Sequence, residues 1–359
     1  MKKRWKIAIG AGGVLATLIV VPILYIEGSC RGPLPQLRPD APYTTLLRAG
    51  PGRRAEAATW LTYPEWHIVY SAESFGRFLR DRPPSAFPYF RHIGRFWSSY
   101  CALNRVTSGA PGTGEAKLTI YTIGISYTVE LGIKAVYERT FGRLFEWASG
   151  WHSADDLYAA RVQQRYGTFL HETPWYEFPF GRAFSGLWRT SEPREHGRHW
   201  ERRFALSLEY GGKAGYAKLI GWASNASMGA DERRLRMVVR GSPAAAAGVD
   251  PRIRPVARIG DALTVVDVPR YAQLTDILGK LAAAQVDPVE IAGNDDIFAT
   301  VLLPPGTRQP PGTAGLLAMP LDDRPGWRRL GLSMKVPALG AVLRRVRAAG
   351  GEIEHVYDY

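Results

Sequence analysis

The chain has 359 residues and a formal charge of +13, with 37 arginines against 9 lysines. Its apolar fraction of 46% excludes a largely disordered chain and allows two domains with sizeable cores. The two cysteines, Cys30 and Cys101, are not part of a Cys-x-x-Cys pair, which excludes thiolate zinc sites and thioredoxin-type chemistry.

The N-terminal segment predicts a membrane anchor. Basic residues within Met1–Lys6 precede Ile7–Ile26, a run of twenty residues without a charge. A helix of that length spans roughly 30 Å, the thickness of a bilayer core. The basic flank places the N-terminus in the cytoplasm. We therefore expect a single-pass signal-anchor in a bacterial inner membrane, with the bulk of the chain periplasmic. A cleaved signal or, through Cys30, a lipoprotein are the alternatives.

The excess of basic residues indicates what kind of partner the protein binds. In a cytosolic protein a charge of +13 would suggest nucleic acid. Behind an export-type anchor nucleic acid is excluded, and the expected partner is the membrane, through anionic lipid or a membrane protein. Arginine makes forked contacts with phosphate and carboxylate, although a GC-rich genome also enriches it. In an oxidising compartment Cys30 and Cys101 could pair; two separate thiols are the alternative.

Differences in composition divide the next part of the chain into a tether, a helical domain and a linker. Residues 29–54 are rich in Pro, Gly and Arg and predict a tether after the anchor of residues 1–28. Apolar residues at three- and four-residue spacing over 55–222 predict a mainly helical domain, which holds nine of the eleven tryptophans. Residues 223–233 predict a linker.

The stretch from Leu118 to Tyr137 is ambiguous. As a helix it places Gly124 and Gly132 roughly on one face, as close-packed membrane helices do, yet its first half alternates like a strand. A buried helix, a second span or re-entrant segment, and a strand all stay open. In a helix Glu130, Lys134 and Glu138 would form an ion row on the surface.

Residues 234–359 alternate between strand and helix patterns. Two similar βαβ units occur in tandem, one opening at Val268-Pro269 and one at Val336-Pro337, which is typical of a ferredoxin-like split βαβ sandwich. The predicted strands are 235–240, 263–268, 289–292, 297–303, 330–336 and 353–357, and the predicted helices are 272–284 and 339–349. The predicted fold class is therefore α+β, with a single transmembrane helix, an aromatic-rich mainly α-helical domain and a C-terminal ferredoxin-like α/β sandwich.

No Walker loop, Gly-x-Gly-x-x-Gly, His-Glu-x-x-His or Gly-x-Ser-x-Gly motif occurs. Scattered imidazole and carboxylate pairs are the candidates for catalysis, since they serve as acids, bases and metal ligands. None has the spacing of a known metal site, so no metal is assigned and a cofactor stays unknown. Under an enzyme hypothesis the catalytic residues are Glu65, His67, His171 and Glu172.

Binding candidates come from three features. The aromatic loop of residues 173–180, which Pro174 and Pro179 keep from forming a regular helix, could dip into lipid head groups. The run from Arg194 to Arg203 predicts a solvated charged face that could meet anionic lipid, and Glu130 would be functional if its stretch entered a bilayer. The candidate binding residues are Glu130, Trp175, Tyr176, Phe178, Phe180, Arg194, Arg198 and Arg202.

These sequence features are compatible with three functions. The leading hypothesis is a non-enzymatic, membrane-anchored envelope protein that binds lipid or a membrane-protein partner. The alternatives are a membrane-associated enzyme, such as a hydrolase, that acts on a lipid or envelope substrate through the His/Glu site, and an accessory subunit of a larger membrane complex.

Overall fold

The computed structural model describes residues 2–32, 43–48, 52–110, 112–189, 196–224 and 234–358. Most of the predicted linker, part of the predicted tether and Arg194 lie outside these residues. The chain divides into two compact units. The first comprises Met1–Leu18, Glu65–Phe96 and Ile123–Met228, and the second comprises Ile19–Pro64, Trp97–Thr122 and Gly229–Tyr359.

The prediction of a transmembrane anchor is wrong. The N-terminal segment is helical, as α1 (Lys2–Ser29), but none of the helices in the described ranges has the length and apolarity that a membrane span requires. Ile26, at the end of the predicted span, is fully buried in protein. The last turn of α1 is held by Glu27, which accepts a hydrogen bond of 2.8 Å from the Tyr121 hydroxyl. The predictions of a signal-anchor and of a single-pass inner-membrane location are therefore wrong as well.

A disulfide joins Cys30 and Cys101, whose Cα atoms are 5.0 Å apart. Both sulfurs belong to the second unit, and both residues are buried. The Asn104 side-chain amide donates a hydrogen bond of 2.9 Å to the Cys30 carbonyl. Of the two alternatives for these cysteines, pairing is therefore the one observed.

The first unit is built from helices. The helices that lie in it wholly or in part are α1, α3 (Tyr63–Asp81), α4 (Tyr89–Thr107), α5 (Gly114–Tyr137), α6 (Arg143–Ser149), α7 (Ala154–Phe169), α8 (Phe180–Leu187) and α9 (His196–Ser224). The ambiguous 118–137 stretch is thus helical, and a π-helical turn, Glu138–Gly142, links α5 to α6. Ser153 starts α7 with a capping box, because its hydroxyl accepts from the Asp156 N–H and Asp156 reaches back.

Two apolar clusters form the core of this unit. One joins α7, α8 and α9 through Val162, Leu187 and Leu206. The other includes Phe75 and Ala135, from α3 and α5. These contacts fix which side of α5 and of α9 faces inward.

The second unit contains two four-stranded antiparallel sheets, with strand orders β2-β3-β1-β4 and β6-β7-β5-β8. The strands are β1 (Arg234–Arg240), β2 (Arg254–Ile259), β3 (Leu263–Pro269), β4 (Pro288–Ile291), β5 (Asp296–Leu303), β6 (Ala314–Pro320), β7 (Arg328–Lys335) and β8 (Glu352–Tyr357). The prediction of one sandwich built from both βαβ repeats is therefore wrong, because each repeat contributes to a sheet of its own.

Strands β2 and β6 and the helix α10 (Pro243–Val249) were not predicted. Without the two strands, the sequence pattern indicated one sandwich instead of two separate sheets. The edge strand β2 is exposed along nearly its whole length, so it lacks the alternation that marks a half-buried strand. Strand β6 contains Gly315 and ends at Pro320, residues that ordinarily indicate a loop. The other helices of the chain's described parts are α2 (Ala58–Leu61), α10 (Pro243–Val249), α11 (Ala272–Ala283) and α12 (Val336–Ala348).

Helices α11 and α12 cover one side of the two sheets. A single apolar cluster joins them to alternate residues of β1 and β5, among them Met237, Val239 and Val301. The intervening Val238 belongs to a separate cluster with Leu47 on the other face of the first sheet. The period of two along β1 thus separates two buried faces.

Candidate functional site

The predicted catalytic residues have different partners. His67 is buried, and its Nε2 donates to the His92 carbonyl at 3.2 Å. His171 Nε2 donates to Glu73 Oε1 at 2.7 Å and lies edge-on to the Trp66 ring. The two imidazoles therefore take part in separate hydrogen bonds rather than in one catalytic pair. Glu65 and Glu172 are both exposed.

Around His67 the structure forms a buried hydrogen-bonded cluster that the sequence did not reveal. The Tyr127 hydroxyl donates to Ser71 Oγ at 2.7 Å, and Ser71 Oγ is 3.0 Å from His92 Nδ1. Burial raises the pKa of Tyr127, so its hydroxyl stays a donor. These residues lie on three helices, which is why no local spacing indicated the cluster.

The predicted aromatic loop contributes to the core. Phe178 and Phe180 are buried against Tyr166. Trp175 and Tyr176 belong to a 3-10 turn, Trp175–Glu177, and the Trp175 ring stacks on Tyr216 at 5.3 Å. All four rings are therefore at least partly covered by protein.

The charged side chains that the structure describes in the predicted solvated face, at positions 198–203, are buried. Arg198 is 0% exposed, and its guanidinium binds both oxygens of Asp156 at 3.2 and 2.9 Å. It also donates to Glu201 at 3.0 Å and to the Gly142 carbonyl at 3.2 Å. A fork-like arginine matched to a carboxylate is the geometry that a buried ion pair requires.

Arg202 repeats this arrangement one turn along α9. It binds both oxygens of Glu138 at 3.0 and 2.9 Å and donates from Nε to Glu201 at 2.8 Å. Burial raises the pKa of Glu138 although Arg202 opposes that effect. Burial would also raise the pKa of Glu201, but its hydrogen bonds with Arg202 and Tyr137 lower it. The two arginines thus join α9 to α7 and to the π-helical turn that follows α5.

The predicted surface ion row on α5 is directed toward α9 instead. Lys134 Nζ donates to Glu209 Oε1 at 2.8 Å, and Glu130 pairs with Lys213 at 2.7 Å. Burial would raise the pKa of Glu209, yet Lys134 and Lys213 lower it to about 2. A cavity of about 30 Å³, lined in part by Lys134, Glu138, Arg202 and Glu209, adjoins the pairs. It has room for a water molecule.

Three carboxylates in the second unit could approach a metal ion together, namely those of Glu56, Asp295 and Asp296. The Lys335 ammonium lies 3.0 Å from Asp295 and 2.8 Å from Asp296. This cation already pairs with two of the three carboxylates, so we do not assign the cluster as a metal centre.

Helix α9 is inverted at its charged positions, because it buries charged side chains beside core residues such as Leu206 and exposes large apolar ones. Its inward side carries Arg198, Glu201 and Arg202, whereas Trp200 and Phe204 are 57% and 67% exposed. The exposed apolar positions Trp200, Phe204, Leu208 and Leu219 follow helical spacing, with Gly211 and Gly215 between them. An ordinary helix of a globular protein has the opposite pattern.

A second apolar row runs along α5, the π-helical turn and α6. Its exposed residues are Ile133, Val136, Phe141, Leu144 and Trp147, and Trp147 is 84% exposed. Helices α6 and α9 are neighbours, because the space beside Gly197 is bounded by Phe145 and Ser149. Since Ala135 and Leu206 of these helices pack inward, each row lies on the outer side of its own helix. We call the two rows the apolar face.

The charges exposed around the apolar face have one sign. Among described residues 133–149, 180–189 and 197–219, the exposed charged side chains are Arg139, Arg143, Arg182, Arg189 and Lys218. The carboxylates of these segments are occupied in the ion pairs between the helices. The face is therefore apolar and aromatic with a basic surround.

The comparisons do not suggest a function. Models of known protein families, curated proteins and solved structures were compared with the chain, and none of them matches it. Function must therefore be inferred from the geometry.

Proposed function

We propose that the first unit binds an anionic lipid surface through the apolar face. The observation that carries the proposal is the inverted helix α9, which buries arginines and exposes Trp200, Phe204 and Leu208. Leaving many large apolar side chains in water is unfavourable, and exposed apolar patches mark sites of interaction. This is peripheral binding to a surface and requires no transmembrane segment.

The surrounding charges favour lipid over a protein partner. Helices that lie in a membrane interface combine aromatic and aliphatic side chains with Lys and Arg, and they respond to anionic lipid. Arg139 and Arg143 interrupt the apolar row of α5 and α6, and exposed carboxylates are absent from the described residues of these helices after Glu130. Tryptophan at 84% exposure, as in Trp147, suits the head-group region.

The test is co-sedimentation of the full-length protein with vesicles of phosphatidylglycerol or of phosphatidylcholine. We expect binding to phosphatidylglycerol, weaker binding to phosphatidylcholine, and loss of binding when Phe204 and Leu208 are both replaced by Ser. The matched control is Val256→Ser, an exposed apolar residue of the second unit.

The two substitutions remove side chains worth about 1.5–3 kcal/mol each when fully buried, so a decrease of at least about 10-fold is expected. Equal binding of the wild type and the Phe204/Leu208 variant would contradict the proposal. Failure to bind either vesicle, with stoichiometric capture of a second copy of the chain, would assign the face to protein association instead.

A further inference from the structure

A buried carboxylate on the first sheet is surrounded by donors from one short segment. Glu290 lies on the edge strand β4 and is 0% exposed. Its Oε2 accepts from the Tyr43 hydroxyl and the Leu46 N–H, both at 2.6 Å. Its Oε1 accepts from Thr45 Oγ1 at 2.8 Å and the Leu47 N–H at 3.2 Å. All four donors come from residues 43–47.

The segment also supplies an apolar anchor. Leu47 is buried with Val238 and Val265, and Ile259 and Val289 pack against them. These residues lie on the face of the sheet opposite α11 and α12. A carboxylate and an apolar patch therefore lie side by side on that face.

The segment is not part of the sheet. Residues 43–48, which we call the strap, do not form a β-strand. Farther along the chain the Arg54 N–H donates to the Ala292 carbonyl at 2.9 Å, and the Asn294 side chain donates to the Arg54 carbonyl at 3.1 Å. The strap therefore lies across β4 much as a bound peptide would.

We propose that this face of the first sheet is a peptide-binding site and that the strap is its internal ligand. The site recognises the pattern of Tyr43-Thr44-Thr45-Leu46-Leu47. In this pattern residues 43 and 45 carry hydroxyl groups, and residues 46 and 47 are apolar. The hydroxyl and backbone N–H groups satisfy Glu290, and the second apolar side chain fills the patch beside Val238.

The chemistry explains why the site needs an occupant. A carboxylate buried beside valines without donors carries a large desolvation cost. Four donors offset this cost, and hydrogen bonds to a charged acceptor are among the stronger ones in proteins. Burial and the Glu290 carboxylate raise the pKa of Tyr43, so its hydroxyl stays protonated as a donor. Any replacement for the strap would have to supply equivalent donors.

The first test measures hydrogen exchange of the Leu46 and Leu47 amides in the full-length protein. Glu290→Gln removes the charge that both amides bind, and at least about 10-fold faster exchange is expected at both. The control is Glu354→Gln, which removes the partner of Arg329 on the second sheet. Unchanged exchange in the Glu290 variant would overturn the proposal. Tyr43→Phe, a milder change that deletes one donor, should accelerate exchange of Leu46 even if the Glu290 variant fails to fold.

The second test asks whether the site accepts a separate peptide. A full-length variant with Tyr43→Phe, Thr45→Ala and Leu47→Ser keeps the sheet and disables the strap. A synthetic peptide of residues 43–48 should bind this variant in calorimetry and should not bind the wild type, whose site is occupied. Adding Glu290→Gln to the variant should abolish binding. No binding to the folded strap variant, or binding that survives the added Glu290 change, would overturn the proposal.

Discussion

Arg198 has no contact with water, so the protein itself must balance its charge. Asp156 and Glu201 do this, together with a longer contact to Glu146 at 3.5 Å. Burying such ions carries a large desolvation cost, which the pairing offsets only while every partner is present. These residues therefore make the position of α9 sensitive to single substitutions.

Replacing Arg198 by Met should lower the free energy of unfolding by about 3–5 kcal/mol, because Asp156 and Glu201 would stay buried without their cation. Urea unfolding of the full-length protein measures this. Arg161→Met, at an exposed position on α7, serves as the control and should change stability by no more than about 0.5 kcal/mol. A loss below about 1 kcal/mol for Arg198→Met would contradict the assigned network.

Glu209 makes stability depend on acid pH. Its pKa falls from an ordinary 4.5 to about 2 in the folded protein, since Lys134 and Lys213 outweigh the effect of burial. The stabilisation is complete above the unfolded value and disappears as the pH falls through the folded one. Between pH 4.5 and 2 the wild type should therefore lose up to about 3 kcal/mol that the Glu209→Gln variant does not lose. Parallel pH slopes for the two proteins over this range would contradict the assignment.

At the scale of elements, the disulfide closes a long loop between α1 and α4. Cys30 and Cys101 are 71 residues apart, and closing a loop of this size restricts the unfolded chain by about 4 kcal/mol. Cys30→Ser with Cys101→Ser should lower stability by that order in urea, and reductant should have no further effect on the double variant. Equal stability of the oxidised wild type and the double variant would show that the cross-link does not stabilise the fold.

Some elements could be predicted because their local pattern agrees with their environment. The helix predicted at 272–284 is α11 (Ala272–Ala283), and the strand predicted at 297–303 is β5 (Asp296–Leu303). Each buries the apolar side that its period indicates. Strand β2 and the pairing of each sheet depend on distant partners, so the division into two sheets could not be read from local spacing.

The apolar face on α9 could not be predicted from the sequence, for a different reason. Trp200, Phe204 and Leu208 are spaced as a helix face, but that spacing ordinarily indicates the buried face. Arg198 and Arg202 likewise indicated a solvated face. Only the partners on α7 and on the π-helical turn after α5 reveal that α9 is inverted. Long-range ion pairing decides the orientation, and the sequence of α9 alone does not contain it.

At the scale of the whole molecule, the two proposals assign different tasks to the two units. The apolar face belongs to the first unit and the strap site to the second. The apolar face would respond to lipid, and the strap site to peptide. Substitutions in Glu290 should leave vesicle binding unchanged, and substitutions in Phe204 should leave exchange of the strap amides unchanged. Co-sedimentation and hydrogen exchange on the same variants measure this independence.

The most direct test of lipid binding places a polarity-sensitive fluorophore on the face. A nitrobenzoxadiazole label would be attached to full-length variants carrying Phe204→Cys, Leu144→Cys or Val256→Cys, with the buried native disulfide left intact. On addition of phosphatidylglycerol vesicles we expect a blue shift and stronger emission at positions 204 and 144 and no change at 256. Unchanged emission at 204 and 144, or the same response at all three positions, would contradict the account.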